Sequence, residues 1–177
     1  YSVGVSGDMS GKKIVKVEPE ATASLTQRGK NNVTASIAQD QVSFNTDDFK
    51  NKTVTISGSG NVAIYAAEKA LMSGAKVVAM SDSNGCIYDK NGIDLDVIKD
   101  IKEVRRGRIK EYLNYHKDAV YSEVIKDIWK IKCDIALPCA TQNELLIDEA
   151  KQRVANGCKA VCESANMPTT LDATKYL

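Results

Sequence analysis

Four consecutive β-branched residues, Thr53-Val54-Thr55-Ile56, run straight into Ser57-Gly58-Ser59-Gly60-Asn61-Val62-Ala63, and this junction constrains the fold more than any other stretch. β-Branched side chains crowd a helix at χ1 and fit a pleated sheet, so Thr53 to Ile56 read as a buried strand. From Val62 onward, Ala63, Ala66, Ala67, Ala70 and Leu71 recur at helical spacing, and Gly74 follows as a stop. The turn between them has the form G-x-G-x-x-A. Its first glycine permits the tight turn, its second lets another group approach the backbone, and a small third residue lets helix and strand pack closely. The first amides of the helix are then free to meet negative charge, and the group that suits such a turn is the pyrophosphate of a dinucleotide. A second apolar strand, Ala75 to Met80, follows at the spacing of a βαβ unit. Asp82 sits just past its end, where an acid can accept hydrogen bonds from ribose hydroxyls.

Further along, Ser83-Asn84-Gly85 and Lys90-Asn91-Gly92 bracket Ile87 and Tyr88, which predicts a short hairpin-like excursion. Val97, Ile98, Ile101 and Val104 trace one helical face, and the pattern continues through Tyr112 and Leu113. Ile135-Ala136-Leu137 is a short strand closed by Pro138. Asp148 to Val154 reads as a helix capped at Asn156-Gly157, Lys159 to Cys162 as a strand, and Thr170 as the cap of a last helix, Leu171 to Leu177. Strands alternating with helices predict an α/β fold, a doubly wound parallel sheet of Rossmann type. The expected division is a dinucleotide-binding domain over residues 49–177 and a poorly regular N-terminal segment, residues 1–48, from an inter-domain region. Within that segment an edge strand is expected near Lys13–Val17, a helix from near Pro19, and a loop or linker through Asn45–Asp48.

Composition narrows the function classes. A net charge of +1 over 177 residues argues against a nucleic-acid or membrane surface as partner. No apolar run is long enough to span a bilayer, and no signal peptide is visible. The chain starts at Tyr1, as a piece or a processed chain would. Cys86, Cys133, Cys139, Cys158 and Cys162 form no C-x-x-C pair, so they read as core thiols rather than metal ligands, and a reduced, cytoplasmic compartment follows. His116 reads as an exposed loop residue and Trp129, among Ile125, Ile128 and Ile131, as a packing anchor.

In a doubly wound sheet the ligand lies across the carboxyl ends of the strands. Those ends are Ser59-Gly60-Asn61, Ser81-Asp82-Ser83, Pro138 to Glu144, and Glu163 to Pro168. Their amides and hydroxyls suit ribose and carboxamide recognition. The runs Ile135-Ala136-Leu137-Pro138-Cys139-Ala140-Thr141-Gln142-Asn143-Glu144-Leu145 and Ala165-Asn166-Met167-Pro168-Thr169-Thr170 resemble the hexameric glutamate dehydrogenases, as does Ser57 to Ala63. The likeness covers Thr53 to Leu177. It implies a cofactor domain of an enzyme that oxidatively deaminates glutamate to 2-oxoglutarate and ammonia, reversibly, with hydride transfer to nicotinamide. By likeness, Gly58, Ser59, Gly60, Asn61 and Val62 hold the pyrophosphate and nearby ribose, Ala140, Thr141 and Gln142 border the cofactor, and Asn166 lies near the nicotinamide ribose. Pro19-Glu20-Ala21-Thr22 resembles a family segment whose threonine lies by the carboxamide, which would be Thr22, although Glu18 replaces an arginine there.

Asp82 alone favours NAD, since a carboxylate repels a 2′-phosphate. Ser81-Asp82-Ser83 is nonetheless similar to NADP-preferring members, in which flanking hydroxyls and a lysine from the following helix serve that phosphate, and Lys102 fits the lysine. NADP is the expectation and NAD the alternative, with Arg105, Arg106 or Arg108 adding positive charge. The family's catalytic lysine and aspartate belong to a separate substrate domain, so no catalytic residue and no metal is expected in this segment, which alone would be inactive. The likeness implies a hexamer. Two alternatives stay open: a non-catalytic nucleotide-binding or assembly module, and a related branched-chain or aromatic amino-acid dehydrogenase.

Overall fold

A computed structural model of the chain describes residues 2–6, 15–20 and 49–177. The strands are β1 (Ser2–Ser6), β2 (Val15–Glu20), β3 (Thr53–Ile56), β4 (Lys76–Asp82), β5 (Gly85–Tyr88), β6 (Val120–Ser122), β7 (Ile135–Leu137) and β8 (Ala160–Cys162). They form one sheet in the order β1-β2-β8-β7-β3-β4-β5-β6. Its heart, β2 through β4, is parallel. β1 at one edge and β5 and β6 at the other are antiparallel additions. Among the described residues the α-helices are α1 (Asn61–Met72), α2 (Leu95–Lys99), α3 (Ile147–Ala155) and α4 (Leu171–Tyr176).

Two cores sandwich the sheet, and the strands divide their side chains between them. Val54 and Ile56 of β3, with Ile135 and Leu137 of β7, join Ala63, Ile64 and Ala67 of α1, Ile98 and Tyr112 in one cluster. Ala136 of β7 and Val161 of β8 point to the other, with Trp129, Leu145, Ala150 of α3 and Ala173 of α4. This period-two sorting is what a parallel sheet covered on both faces requires. The doubly wound arrangement expected from the sequence is present.

Several local expectations need correction. Pro19 and Glu20 close β2, opposite Val3 and Ser2, and the rest of the helix expected from near Pro19 lies outside the described residues. Proline has no amide to give a ladder, and pairing of β2 with β8 reaches only Val17, so Pro19 lies past the doubly paired stretch. The strand expected near Lys13–Val17 is β2, an inner strand with β1 outside it, and the loop at Asn45–Asp48 lies outside the described residues. The helix through Leu113 is not continuous. After Lys99 it opens into a π-helical turn, Asp100–Val104, with Arg105 N on Asp100 O at 2.9 Å, and a separate 3-10 helix spans Ile109–Asn114. The wider turn carries Val104 off the apolar stripe to 75% exposure, while Ile98 and Ile101 stay buried. Strand β6 and a 3-10 helix at Ile125–Lys130 had no periodic signal. Thr170 occupies the N-cap position of α4, but its side chain caps no helix amide. His116 is half-buried, stacked on Tyr112 at 4.5 Å with its ring nitrogens 3.8 Å from Asp89 and 3.4 Å from Asp94. Trp129 is a packing anchor, 2% exposed. All five cysteines are free thiols.

Candidate functional site

The glycine turn lies at the carboxyl end of β3, and each of its three small positions answers to a different demand. Gly58 adopts φ +89°, and a Cβ there would sit 3.3 Å from Ala140 and from Cys139 O. Its amide donates to Ser81 Oγ at 2.8 Å, and Ser81 N donates back to Gly58 O at 3.4 Å, so β4 braces the turn from its side. Ala63 is fully buried, where any larger side chain would push α1 off the sheet. Gly60 is different. A Cβ there would meet nothing within 4 Å, so no packing within the protein demands glycine. Gly60 is the N-cap of α1, no side chain caps the helix, and its first turn carries no acid. The amides at this helix start are therefore available to an anion. An uncrowded glycine beside uncapped amides is a cradle that fits a diphosphate.

The loop after β7 forms a second wall through one carboxylate. Glu144 Oε1 accepts from Ser57 Oγ at 2.8 Å, Ala140 N at 3.0 Å and Thr141 N at 3.4 Å. Ser57 Oγ in turn accepts from Cys139 N at 2.8 Å. The ends of β3 and β7 are thereby tied into one unit. Burial raises the Glu144 carboxyl above its ordinary range, while the Ala140 amide, the Ser57 hydroxyl and the Thr141 amide pull it back.

The third wall is basic. Asp82, at the end of β4, spends its carboxylate on the chain itself: Oδ1 accepts from Asn84 N at 2.8 Å, and Oδ2 from Ile109 N at 2.9 Å and Lys102 Nζ at 3.5 Å. Lys102 also donates to Gly107 O at 3.0 Å. Arg108 Nη1 donates to Ser83 Oγ at 2.9 Å. Asp82 is thus the post to which the π turn and the Arg106–Arg108 segment are fastened.

These walls enclose a cleft of about 1110 Å³. Gly58, Ser59, Gly60, Asn61 and Val62 of the turn line it, with Ser81, Asp82, Ser83, Lys102, Ala140 and Thr141. Gln142 and Asn166 are exposed and do not line it, and Thr22 lies outside the described residues. Arg106 and Arg108, expected as added positive charge, line it too, with Asn143 and Glu144 of the strand-end run and Ile125 and Trp129, expected only as packing residues; Lys126 is not singled out by the sequence. Arg105 turns away, paired with Asp100 at 2.8 Å and Glu111 at 3.1 Å. Ile125, Lys126 and Trp129 belong to the 3-10 helix Ile125–Lys130; the sequence marks Trp129 as a packing anchor, and nothing in it turns this segment toward a cleft. Glu144 stood in the strand-end run and was recognisable only as a loop residue. Among the described residues no group of three potential metal ligands is assembled, and no helix is long and apolar enough to cross a membrane.

A parallel sheet covered on both faces, with an uncapped glycine turn opening into a cleft at its strand ends, defines a Rossmann-like α/β protein. The model of the glutamate/leucine/phenylalanine/valine dehydrogenase family matches residues 17–177, and the chain belongs to that family. It is 49% identical over 142 residues to the NADP-specific glutamate dehydrogenase of Helicobacter pylori, covering 77% of this chain and 32% of that protein. It is 48% identical over 162 residues to the NAD(P)-specific glutamate dehydrogenase of Xylanibacter ruminicola, covering 90% of this chain and 34% of that protein. Among solved structures, Plasmodium falciparum glutamate dehydrogenase 2 superposes with a TM-score of 0.70 at 48% identity, covering 74% of this chain and 29% of that one. The chain spans about a third of the length of the curated relatives it matches.

Proposed function

We propose that residues 49–177 are the NADP-binding domain of a glutamate dehydrogenase, with residues 1–48 coming from its inter-domain region. The observation that carries the reading is Gly60, a glycine with open space where a side chain would be, at the uncapped start of α1. In this reading the amides of Asn61 and Val62 take the diphosphate, and Ala140 and Thr141 border the path to the nicotinamide. Lys102, Arg106 and Arg108, with the Ser83 hydroxyl, offer a 2′-phosphate positive charge and hydrogen bonds that Asp82 alone would deny it. The names of relatives near 48% identity, NADP-specific and NAD(P)-specific, support the same preference.

The work of such a domain is orientation. The bound nicotinamide supplies hydride chemistry. The chain fixes its ring relative to the substrate and keeps water away, while a substrate domain supplies the proton-transferring groups. In the complete enzyme the reaction is the reversible oxidative deamination of glutamate to 2-oxoglutarate and ammonia, in a homo-oligomer of the hexameric type. Titration of the chain with NADPH and NADH tests the binding half. NADPH binds more tightly, Gly60→Val weakens both without lowering the melting temperature, and Lys102→Ala weakens NADPH by about 10-fold while sparing NADH. Equal binding of wild type and Gly60→Val would sink the reading. A two-domain enzyme that failed to reduce cofactor with glutamate would sink the activity alone.

A further inference from the structure

The second core holds a charge that the cleft does not explain. Arg153, in the last turn of α3, is 0% exposed. A guanidinium stays protonated at any pH a folded protein survives, and at that depth it needs a counter-ion. Its Nη1 donates at 3.1 Å to Cys133 Sγ, while Nε and Nη2 have no partner among the described residues. Thr55 Oγ1 stands 3.3 Å from the same sulfur. Among the described residues, then, the group that hydrogen-bonds this cation is a thiol and not a carboxylate.

A second thiol lies alongside. Cys133 and Cys158 each precede by two residues a pair of facing positions in adjacent parallel strands, Ile135 of β7 and Ala160 of β8. Neighbouring strands run about 4.8 Å apart, within the Cα separation of roughly 4.4–6.8 Å that a disulfide spans. Both cysteines are buried in the same core. Cys158 Sγ donates to Ala160 O at 3.2 Å, with Asp134 O at 3.6 Å. The neighbouring Cys158 thiol lowers the Cys133 thiol, burial opposes it, and the Arg153 charge and Thr55 hydroxyl add to it. Cys158 is pushed well upward, first by its neighbour Cys133 and then by burial, and its proton is directed at Ala160 O.

We infer that Cys133, held against the buried Arg153 guanidinium, forms with Cys158 a buried dithiol that a small peroxide closes to a disulfide. Only an oxidant of nearly the size of water suits sulfurs at 3% and 4% exposure. The Cys133 thiolate attacks one oxygen of hydrogen peroxide; an S–O bond forms, the O–O bond breaks and hydroxide leaves. The Cys158 sulfur then bonds to Cys133, the S–O bond breaks, and the Cys158 proton departs with that oxygen as water. Two electrons pass from the sulfurs to the peroxide. The site sits ahead of β7 and β8, at the end of the sheet opposite the cleft, and does not rest on the cofactor reading.

The test exposes the reduced protein to hydrogen peroxide at pH 6 to 9, then alkylates it under denaturing conditions and maps thiols by peptide mass spectrometry. The expected product is a linked Cys133–Cys158 peptide pair, about 2 Da lighter than the two reduced peptides together. Its rate of formation changes less than about 2-fold from pH 7 to 9, whereas an ordinary thiol would accelerate more than about 10-fold as its thiolate fraction grows. Cys133→Ser abolishes the product, and Cys158→Ser leaves an oxygenated Cys133. A linked pair whose rate climbs steeply with pH overturns the thiolate. Oxidation confined to Cys86, Cys139 or Cys162, or none in the folded protein, overturns the site. The wild-type pH profile decides the matter even where a variant does not fold.

Discussion

Gly58 and Gly60 stand two residues apart and are held to glycine by unlike constraints. Gly58 is fixed from within, by a left-handed backbone and by Ala140 and Cys139 pressing at 3.3 Å where a methyl group would go. Gly58→Ala is expected to cost about 1–3 kcal/mol, measured by urea unfolding, because the strain and the close contact fall on the same atom. Glu144 offers a test of a different kind. Burial raises its carboxyl above the ordinary 4.5, so the native state holds that proton more tightly than the unfolded chain does. Stability from this group is therefore fully present below the unfolded value and is lost as pH rises through the folded one. Glu144→Gln removes the titration, so the wild type should lose stability relative to the variant as pH climbs from 4.5 toward neutrality. A stability difference that stayed constant across that range would refute the assignment. Arg153 shows where reading by residue type fails. In the sequence it is one more charge on an amphipathic helix, and nothing local says that it is buried on a sulfur 20 residues earlier.

At the scale of elements, what was legible is what is local. The β3–turn–α1 unit could be read because its strand propensity, its glycines and its alanine spacing all lie within 20 residues and agree with one another. The break in the helix after Lys99 could not, because Asp100 to Val104 carry no proline or glycine. What anchors the bend is Asp82, from another strand, which takes the amide of Ile109 and the ammonium of Lys102. The carboxylate expected to face a ribose also organises the basic segment across the cleft. Asp82→Asn should therefore loosen the segment, costing about 1.5–3 kcal/mol for hydrogen bonds lost from a charged acceptor. It should also erode discrimination between NADPH and NADH. Unfolding and cofactor titration on the same preparation check both, and an unchanged cofactor preference would place the ordering of Lys102 elsewhere.

In the molecule as a whole, the two cores are joined through the sheet and meet the solvent differently. The core holding α1 packs under the glycine turn. The other, with Cys133 and Cys158, also holds Trp129, which lines the cleft as well. Trp129→Ala should lower stability by about 3–5 kcal/mol, as large aromatic deletions from a core do. Thermal unfolding would register it as a single cooperative loss rather than a local one. The sequence marks Trp129 as a core residue and not as one that fronts the cleft, since its 3-10 helix has no amphipathic rhythm to orient it. Trp129 is also the only tryptophan in the chain. Its ultraviolet emission overlaps the absorption band of a reduced nicotinamide, so a dinucleotide settling against the β3 turn would quench it by energy transfer. Oxidised cofactor, which lacks that band, would leave it bright. With the proposed cofactor in the cleft, that one indole would report its occupancy and redox state without any label.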